Sequence, residues 1–212
     1  MKNSILKNKY RPGRLIKTLV LISLCCLGIS ACSLFSPREP EAPNRGRSTF
    51  IPATSPALVL DNLRSCIQEK NPDNFILCLS DTSRGTKRPY QFEPNPEAGV
   101  RFGSFFNSWS LYNERTALQA LISRIPPDLQ MNLELSNILF DVISPDSAVI
   151  FCDYMLNAPH TVSTIPQKAI GRARFVMIQQ NGGQWCIQRW TDNRLSSADS
   201  STWSIYKAQF SN

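Results

Sequence analysis

Lys168-Ala169-Ile170-Gly171-Arg172-Ala173-Arg174-Phe175-Val176-Met177-Ile178-Gln179-Gln180, then Asn181-Gly182-Gly183, then Gln184-Trp185-Cys186-Ile187-Gln188-Arg189-Trp190-Thr191 is the stretch on which the fold turns. Both flanking runs are rich in β-branched, aromatic and aliphatic residues, the composition of strands. Asn and Gly between them tolerate the positive φ of a tight turn, so the stretch reads as a β-hairpin. In an extended chain successive side chains point to opposite faces, which puts Arg172 and Arg174 on one face.

Two more strands precede the hairpin. Residues 130–142 and 148–156 are apolar runs separated by Ser144-Pro145-Asp146-Ser147, a turn signal. A polar loop, residues 157–166, leads on to the hairpin. Asp153 and Tyr154 are adjacent in the second run, so only one of them can face the interior.

Upstream the period changes. Leu60, Leu63 and Ile67 recur at helical spacing over residues 57–69, and Pro56 suits the first turn. Asn71-Pro72-Asp73 breaks that helix and starts a shorter one with residues 75–79 on its apolar side. Residues 88–94 read as a brief edge strand, ended by Pro94 and Pro96, which cannot donate to a ladder. Phe102, Phe105, Phe106, Trp109 and Tyr112 form an aromatic cluster, and a helix continues to about residue 124, with an interruption expected near Asn113. Leu118, Leu121, Ile122 and Ile125 carry its apolar face, and Pro126-Pro127 stops it. Helices followed by an antiparallel meander make the fold class α+β: N-terminal helices packed on a curved antiparallel sheet. Residues 57–212 are long enough for one domain with a real core.

Tyr90-Gln91-Phe92-Glu93-Pro94, Trp109 with Glu114, Trp185 to Asp192, Thr202-Trp203-Ser204 and Lys207 to Phe210 together resemble the nuclear transport factor 2-like (cystatin-like cone) fold. The resemblance extends to a group of bacterial lipoproteins that carry this domain. It implies long strands curled around the helices, with an open end that some members use as an enzyme pocket and others for binding alone. Fold cannot choose between these. A ligand cavity in such a cone is expected to involve Trp109, Tyr112, Asp153 and Tyr154.

The N-terminus speaks of location. Lys2, Lys7, Lys9, Arg11, Arg14 and Lys17 precede an uncharged run, residues 18–30, in the layout of a signal peptide. The run is too short for a comfortable transmembrane helix. Ile29-Ser30-Ala31-Cys32 resembles the lipobox of bacterial lipoproteins. That resemblance implies cleavage before Cys32, a diacylglycerol on its thiol, and a lipid-anchored envelope protein. Enteric bacteria retain such proteins in the inner membrane when Asp follows the cysteine; Ser33 stands here, which resembles outer-membrane sorting. Residues 33–56 carry five prolines and no apolar period, and read with Cys32 as a lipidated, flexible tether, residues 32–56. The full chain is +7. Without the six cations of residues 1–31, 17 basic residues face 16 acidic ones. The mature domain is nearly neutral and lacks the basic footprint of a nucleic-acid binder.

No catalytic motif stands out. There is no nucleophile elbow, no phosphate loop and no dinucleotide fingerprint. His160 is the single histidine and reads as a solvated loop residue, and the cysteines lack the tight pairing of a zinc site, so neither metal nor cofactor is expected. Cys66, Cys78, Cys152 and Cys186 allow three disulfide connectivities. Cys66 and Cys78 fall on neighbouring helices, where a bond would close a short loop and contribute about 3 kcal/mol. Cys152 and Cys186 fall two strands apart in a meander, beyond disulfide reach, and are expected as buried free thiols. Lys168, Arg172, Arg174, Arg189 and Arg194 cluster on the last two strands and read as a solvated sheet face, or alternatively as a docking surface for acidic lipid, glycan or protein. The expected partners are a membrane, through the lipid, and an envelope protein or small ligand. The leading reading is a non-catalytic binding domain on an envelope lipoprotein. The alternative is a cone-fold isomerase or dehydratase acting on a small apolar molecule.

Overall fold

The computed structural model describes residues 48–196 and 201–211. The signal peptide, Cys32 and most of the tether lie outside the described residues. Three helices begin with the same local device, a polar cap followed by proline. Ser55 caps α1 (Pro56–Gln68), Asn71 caps α2 (Pro72–Leu77) and Asn95 caps α3 (Pro96–Arg101). Each cap side chain accepts a backbone N–H of the first turn, and each proline occupies a position whose N–H would go unused. A short α4 (Gly103–Phe106) follows α3, and α5 (Leu111–Ser123) completes the helical half. The interruption expected near Asn113 falls earlier, between Phe106 and Leu111. Asn113 instead closes the new start, its Oδ1 accepting the Ser110 N–H at 3.0 Å.

The strands are β1 (Gln91–Glu93), β2 (Asn132–Ile143), β3 (Ser147–Asn157), β4 (Lys168–Gln179) and β5 (Trp185–Asn193). They form one sheet in the order β1-β5-β4-β3-β2. The last four make the antiparallel meander, and β1 joins its edge parallel to β5. Gly182 and Gly183 both take positive φ in the β4–β5 turn, as the Asn-Gly-Gly signal requires. A final helix, α6 (Trp203–Gln209), returns to the helical side of the sheet, against α5 and β4. The α+β architecture is therefore the expected one, helices on one face of a largely antiparallel sheet.

The inner face follows the alternation of the strands. Ala148, Ile150, Cys152, Tyr154 and Leu156 of β3 and Ala169, Ala173, Phe175 and Met177 of β4 are buried, with α1 packed on β2 and β5 and α6 on β4. Trp190 is fully buried at the centre, meeting Phe175, Phe92 and Trp203 edge-on at 5.1, 5.9 and 4.7 Å between ring centroids. Such contacts add about 0.5–1.5 kcal/mol each beyond area burial.

Three features depart from the sequence expectations. Residues 48–55, assigned to the tether, are bound to the domain: Thr49 donates to Glu69, Ile51 exchanges two hydrogen bonds with the Asn62 side chain, and the Ala53 carbonyl accepts the Trp185 N–H. Cys66 and Cys78 are free thiols, not a disulfide; each is buried and donates to a carbonyl of its own helix, Leu63 and Asn74. Burial pushes the Cys66 thiol well above its ordinary value. His160 is buried, not solvated: it packs on Tyr206 and Phe210, because its loop folds across the end of α6. Cys152 and Cys186 are free and buried, as their strand separation requires.

Gly171 lies opposite Tyr154 in the β3–β4 ladder. A Cβ there would stand 2.5 Å from the Tyr154 hydroxyl and 2.6 Å from the Asn193 carbonyl oxygen. Gly171→Ala should destabilise the domain by about 1–3 kcal/mol, the range of overpacked cores, as a lowered urea midpoint with an unchanged far-UV spectrum.

Candidate functional site

The interior between helices and sheet is where a cone would hold a ligand. α5 brings Glu114 there, one turn ahead of Ala117, Leu118 and Leu121 on the same apolar stripe. Tyr90, just before β1, and Trp109, in the break before α5, both donate to Glu114 Oε1, at 2.7 and 2.8 Å. Lys207 of α6 reaches the same oxygen. Glu114 is 1% and Lys207 3% exposed. The ammonium also sits 3.6 Å from the centroid of the Phe92 ring and 4.2 Å from that of Trp190, so two π faces complete its surroundings. Burial lowers the Lys207 pKa and Glu114 opposes the shift. Burial, then the Glu114 charge, raise that of Tyr90.

A second network fixes the start of α6. Asp192, fully buried on β5, accepts the Ser204 N–H at 2.8 Å, the Ser204 hydroxyl, and the Tyr154 hydroxyl at 2.7 Å. The Tyr154 oxygen in turn accepts the Trp203 N–H at 2.8 Å. Asn95 adds its side chain on Thr202 and its backbone N–H on Ser204 Oγ. A carboxylate and a hydroxyl thus satisfy two first-turn donors, the Ser204 and Trp203 N–H groups, that the helix cannot pair itself. Burial raises the Asp192 pKa, while Ser204, Tyr154 and Lys207 hold it down.

These are the residue types of acid–base chemistry, a Tyr with a carboxylate twice over. A general acid or base needs a substrate within hydrogen-bond reach. Here the functional atoms are engaged with one another and with α6. The space left between α5 and α6, beside Glu114 and Lys207, is about 20 Å³, or about 310 Å³ with the gaps open to solvent included. About 20 Å³ accommodates roughly one water; ligand pockets run to roughly 300–1,000 Å³.

The four residues expected to line one cavity are therefore divided. Trp109 and Tyr112 meet at an open groove of about 470 Å³ that also takes in Tyr90 and Asp81. Tyr154 points inward to Asp192. Asp153 points outward, accepting from Arg172 Nε at 2.6 Å and Asn137 Nδ2 at 2.7 Å. The hydrogen bond from Arg172 is the main influence holding the Asp153 pKa below its usual value. Sequence reading missed Glu114, Asp192 and Lys207 as a set. A signal existed: each is a charged residue on a period otherwise occupied by core residues. Among the described residues no group of three or more metal-ligating side chains occurs. The basic cluster on β4 and β5 is largely neutralised, since Arg172, Arg189 and Arg194 pair with Asp153, Glu93 and Glu97.

No family model and no curated protein matches this chain. Solved structures do resemble it in chain path. A nuclear transport factor 2-like superfamily protein from Salmonella enterica is 14% identical over 67% of this chain and 89% of its own, with a TM-score of 0.44. An uncharacterized protein with a cystatin-like fold from Caulobacter vibrioides is 14% identical over 66% and 87%, at 0.47. A ketosteroid isomerase-like protein from Erwinia carotovora atroseptica is 12% identical over 66% and 92%, at 0.42. Likeness of this degree carries no residue role across, because one fold hosts many functions.

Lys207→Met leaves Glu114 buried without its counter-charge and should cost about 3–5 kcal/mol in urea unfolding, whereas Glu114→Leu with Lys207→Met should recover most of it. At the sheet surface the sign follows from the lowered Asp153 pKa. The unfolded chain takes up that proton first, so the stabilisation is complete above about pH 3.8 and drains as the pH falls further. Asp153→Asn should flatten this acid limb, read as unfolding midpoint against pH.

Proposed function

We propose that this chain is an envelope lipoprotein, held on the membrane through Cys32, whose folded head is a non-catalytic docking domain for a partner protein. The single observation that carries the non-catalytic reading is the insertion of α6 into the cone. Its Lys207 occupies the position where a substrate would meet Glu114, Tyr90 and the aromatic rings, and Trp203 lies across Trp190 and Tyr154. An isomerase or dehydratase working on a small apolar molecule would need that volume back. The anchor rests on the lipobox-like residues 29–32 and the basic leader ahead of them. Two or more acyl chains on one cysteine give stable attachment, since each buried methylene contributes about 0.8 kcal/mol. The tether of residues 33–47 then lets the head work within tens of ångströms of the bilayer.

Two measurements test this. Mass spectrometry of the mature chain should find Cys32 at the N-terminus carrying acyl chains, and Cys32→Ser should leave the protein out of the membrane fraction. Titration of the full chain with small apolar ketones and phenols, followed by tryptophan fluorescence, should give no saturable change. Micromolar binding abolished by Tyr154→Phe or Glu114→Gln would replace the docking reading with the enzymatic one.

A further inference from the structure

β2 forms the outer edge of the sheet, next to β3 alone. Along its last six residues Ile138 is 37% exposed, Leu139 58%, Phe140 40%, Val142 51% and Ile143 64%. Edge strands are normally blunted by lysine, proline or inward charge; this stretch has Asp141 alone. The ladder shows which way the side chains face. Leu139 and Val142 stand opposite Phe151 and Val149, on the outer face, while Phe140 and Ile143 stand opposite Ile150 and Ala148, on the inner face. Ile150 and Ala148 are fully buried. One strand further out, the same inner row is open to water. A strand apolar on both faces is the pattern of one covered on both sides, and nothing among the described residues covers this one.

We propose that the end of β2 is covered by a second copy of this chain, related by a two-fold axis near Phe140 and Asp141. This deepens the docking reading above and rests on it. Three observations favour a second copy over a foreign partner. Antiparallel pairing of a strand with its own copy is two-fold symmetric, so the edge supplies its own complement. An axis at this point sets Leu139 against Val142 of the other copy, both on the outer face, and sets each Phe140 beside the other copy's Asp141, so that the two carboxylates do not stand directly opposite each other. The area also fits: the five side chains make a patch of a few hundred Å², the upper end for a monomer, and the half-buried Val149, Phe151 and Val176 beside them extend it toward the roughly 800 Å² per partner of a stable interface. The register shifts at Ser136/Leu139 and Phe140/Val142 interrupt the edge. Side-chain burial therefore carries the contact, and ladder hydrogen bonds contribute less. Lipid anchoring in one plane raises the effective concentration of copies.

The test uses the full lipidated chain in membranes. The described native cysteines are all buried, so Asp141→Cys supplies an exposed thiol near the proposed axis, and Val100→Cys, at a position 90% exposed, serves as the control. A short bismaleimide should convert Asp141→Cys to a species of twice the monomer mass and leave Val100→Cys monomeric. In detergent, Leu139→Lys with Val142→Lys should weaken self-association at least tenfold by sedimentation. Leu139→Thr with Val142→Thr should do so less strongly, and tryptophan fluorescence should confirm that both variants stay folded. A wild-type chain that is monomeric at every concentration, with no self-linked product, overturns the proposal. If Asp141→Cys then links only to a different envelope protein, the docking reading survives with another partner. If its thiol is protected in a monomer, the cover belongs to the chain's own N-terminal segment. If no product of any kind forms and Cys32 carries no lipid, the docking reading falls as well.

Discussion

An ammonium group at the centre of an aromatic core is the constraint to which the rest of this molecule answers. Removing a lysine from water costs several kcal/mol even after relaxation, so its surroundings must return nearly all of it. Glu114 supplies the counter-charge, and the Phe92 and Trp190 rings supply π faces where a second polar partner would otherwise be needed. The carboxylate is itself held by Tyr90 and Trp109, which ties together the segment before β1, the break before α5, and α5 itself. One side chain on the last helix thus fixes the positions of elements more than ninety residues away.

The same arrangement governs what the interior can do. A carboxylate with a tyrosine is a reactive pairing when one partner faces a cavity. Here one carboxylate pairs with Lys207 and the other caps α6 through Ser204, with Tyr154 accepting from Trp203. The raised pKa of Asp192 is a consequence of burial, moderated by its hydrogen bonds. Perturbed titration is a stronger pointer to function where space for a substrate accompanies it, and the space directly beside Glu114 and Lys207 is the size of a water molecule. Larger open surface lies in the groove at Tyr90, Trp109 and Tyr112 and on the outer face and edge of the sheet.

That surface is uneven. Over β4 and β5 three of the arginines are matched by Asp153, Glu93 and Glu97, while Arg174 lies over the Phe151 ring. At the end of β2 the apolar rows continue past the helices that cover them elsewhere. Exposed apolar residues are ordinary singly; five within six residues on a sheet edge form an apolar patch, and an open edge of this kind can template unspecific pairing.

The chain's order of elements was legible from residues alone, because it depends on local chemistry. Ser-Pro and Asn-Pro starts, the Asn-Gly-Gly turn and the switch from helical to alternating periods each act within a few residues. Parity along β3 set Tyr154 and Asp153 on opposite faces, although both had been expected at one ligand cavity. The break before α5 was misplaced by a few residues, since Asn113 acts as a capping partner and not as a breaker. Tertiary structure alone decided that Glu114, Asp192 and Lys207 meet, that His160 is buried, that residues 48–55 belong to the domain, and that α6 packs into the space between α5 and the sheet. Those outcomes depend on contacts between residues far apart in sequence. The cost of burying a charge is set by what the fold brings to it, and no spacing along the chain records that.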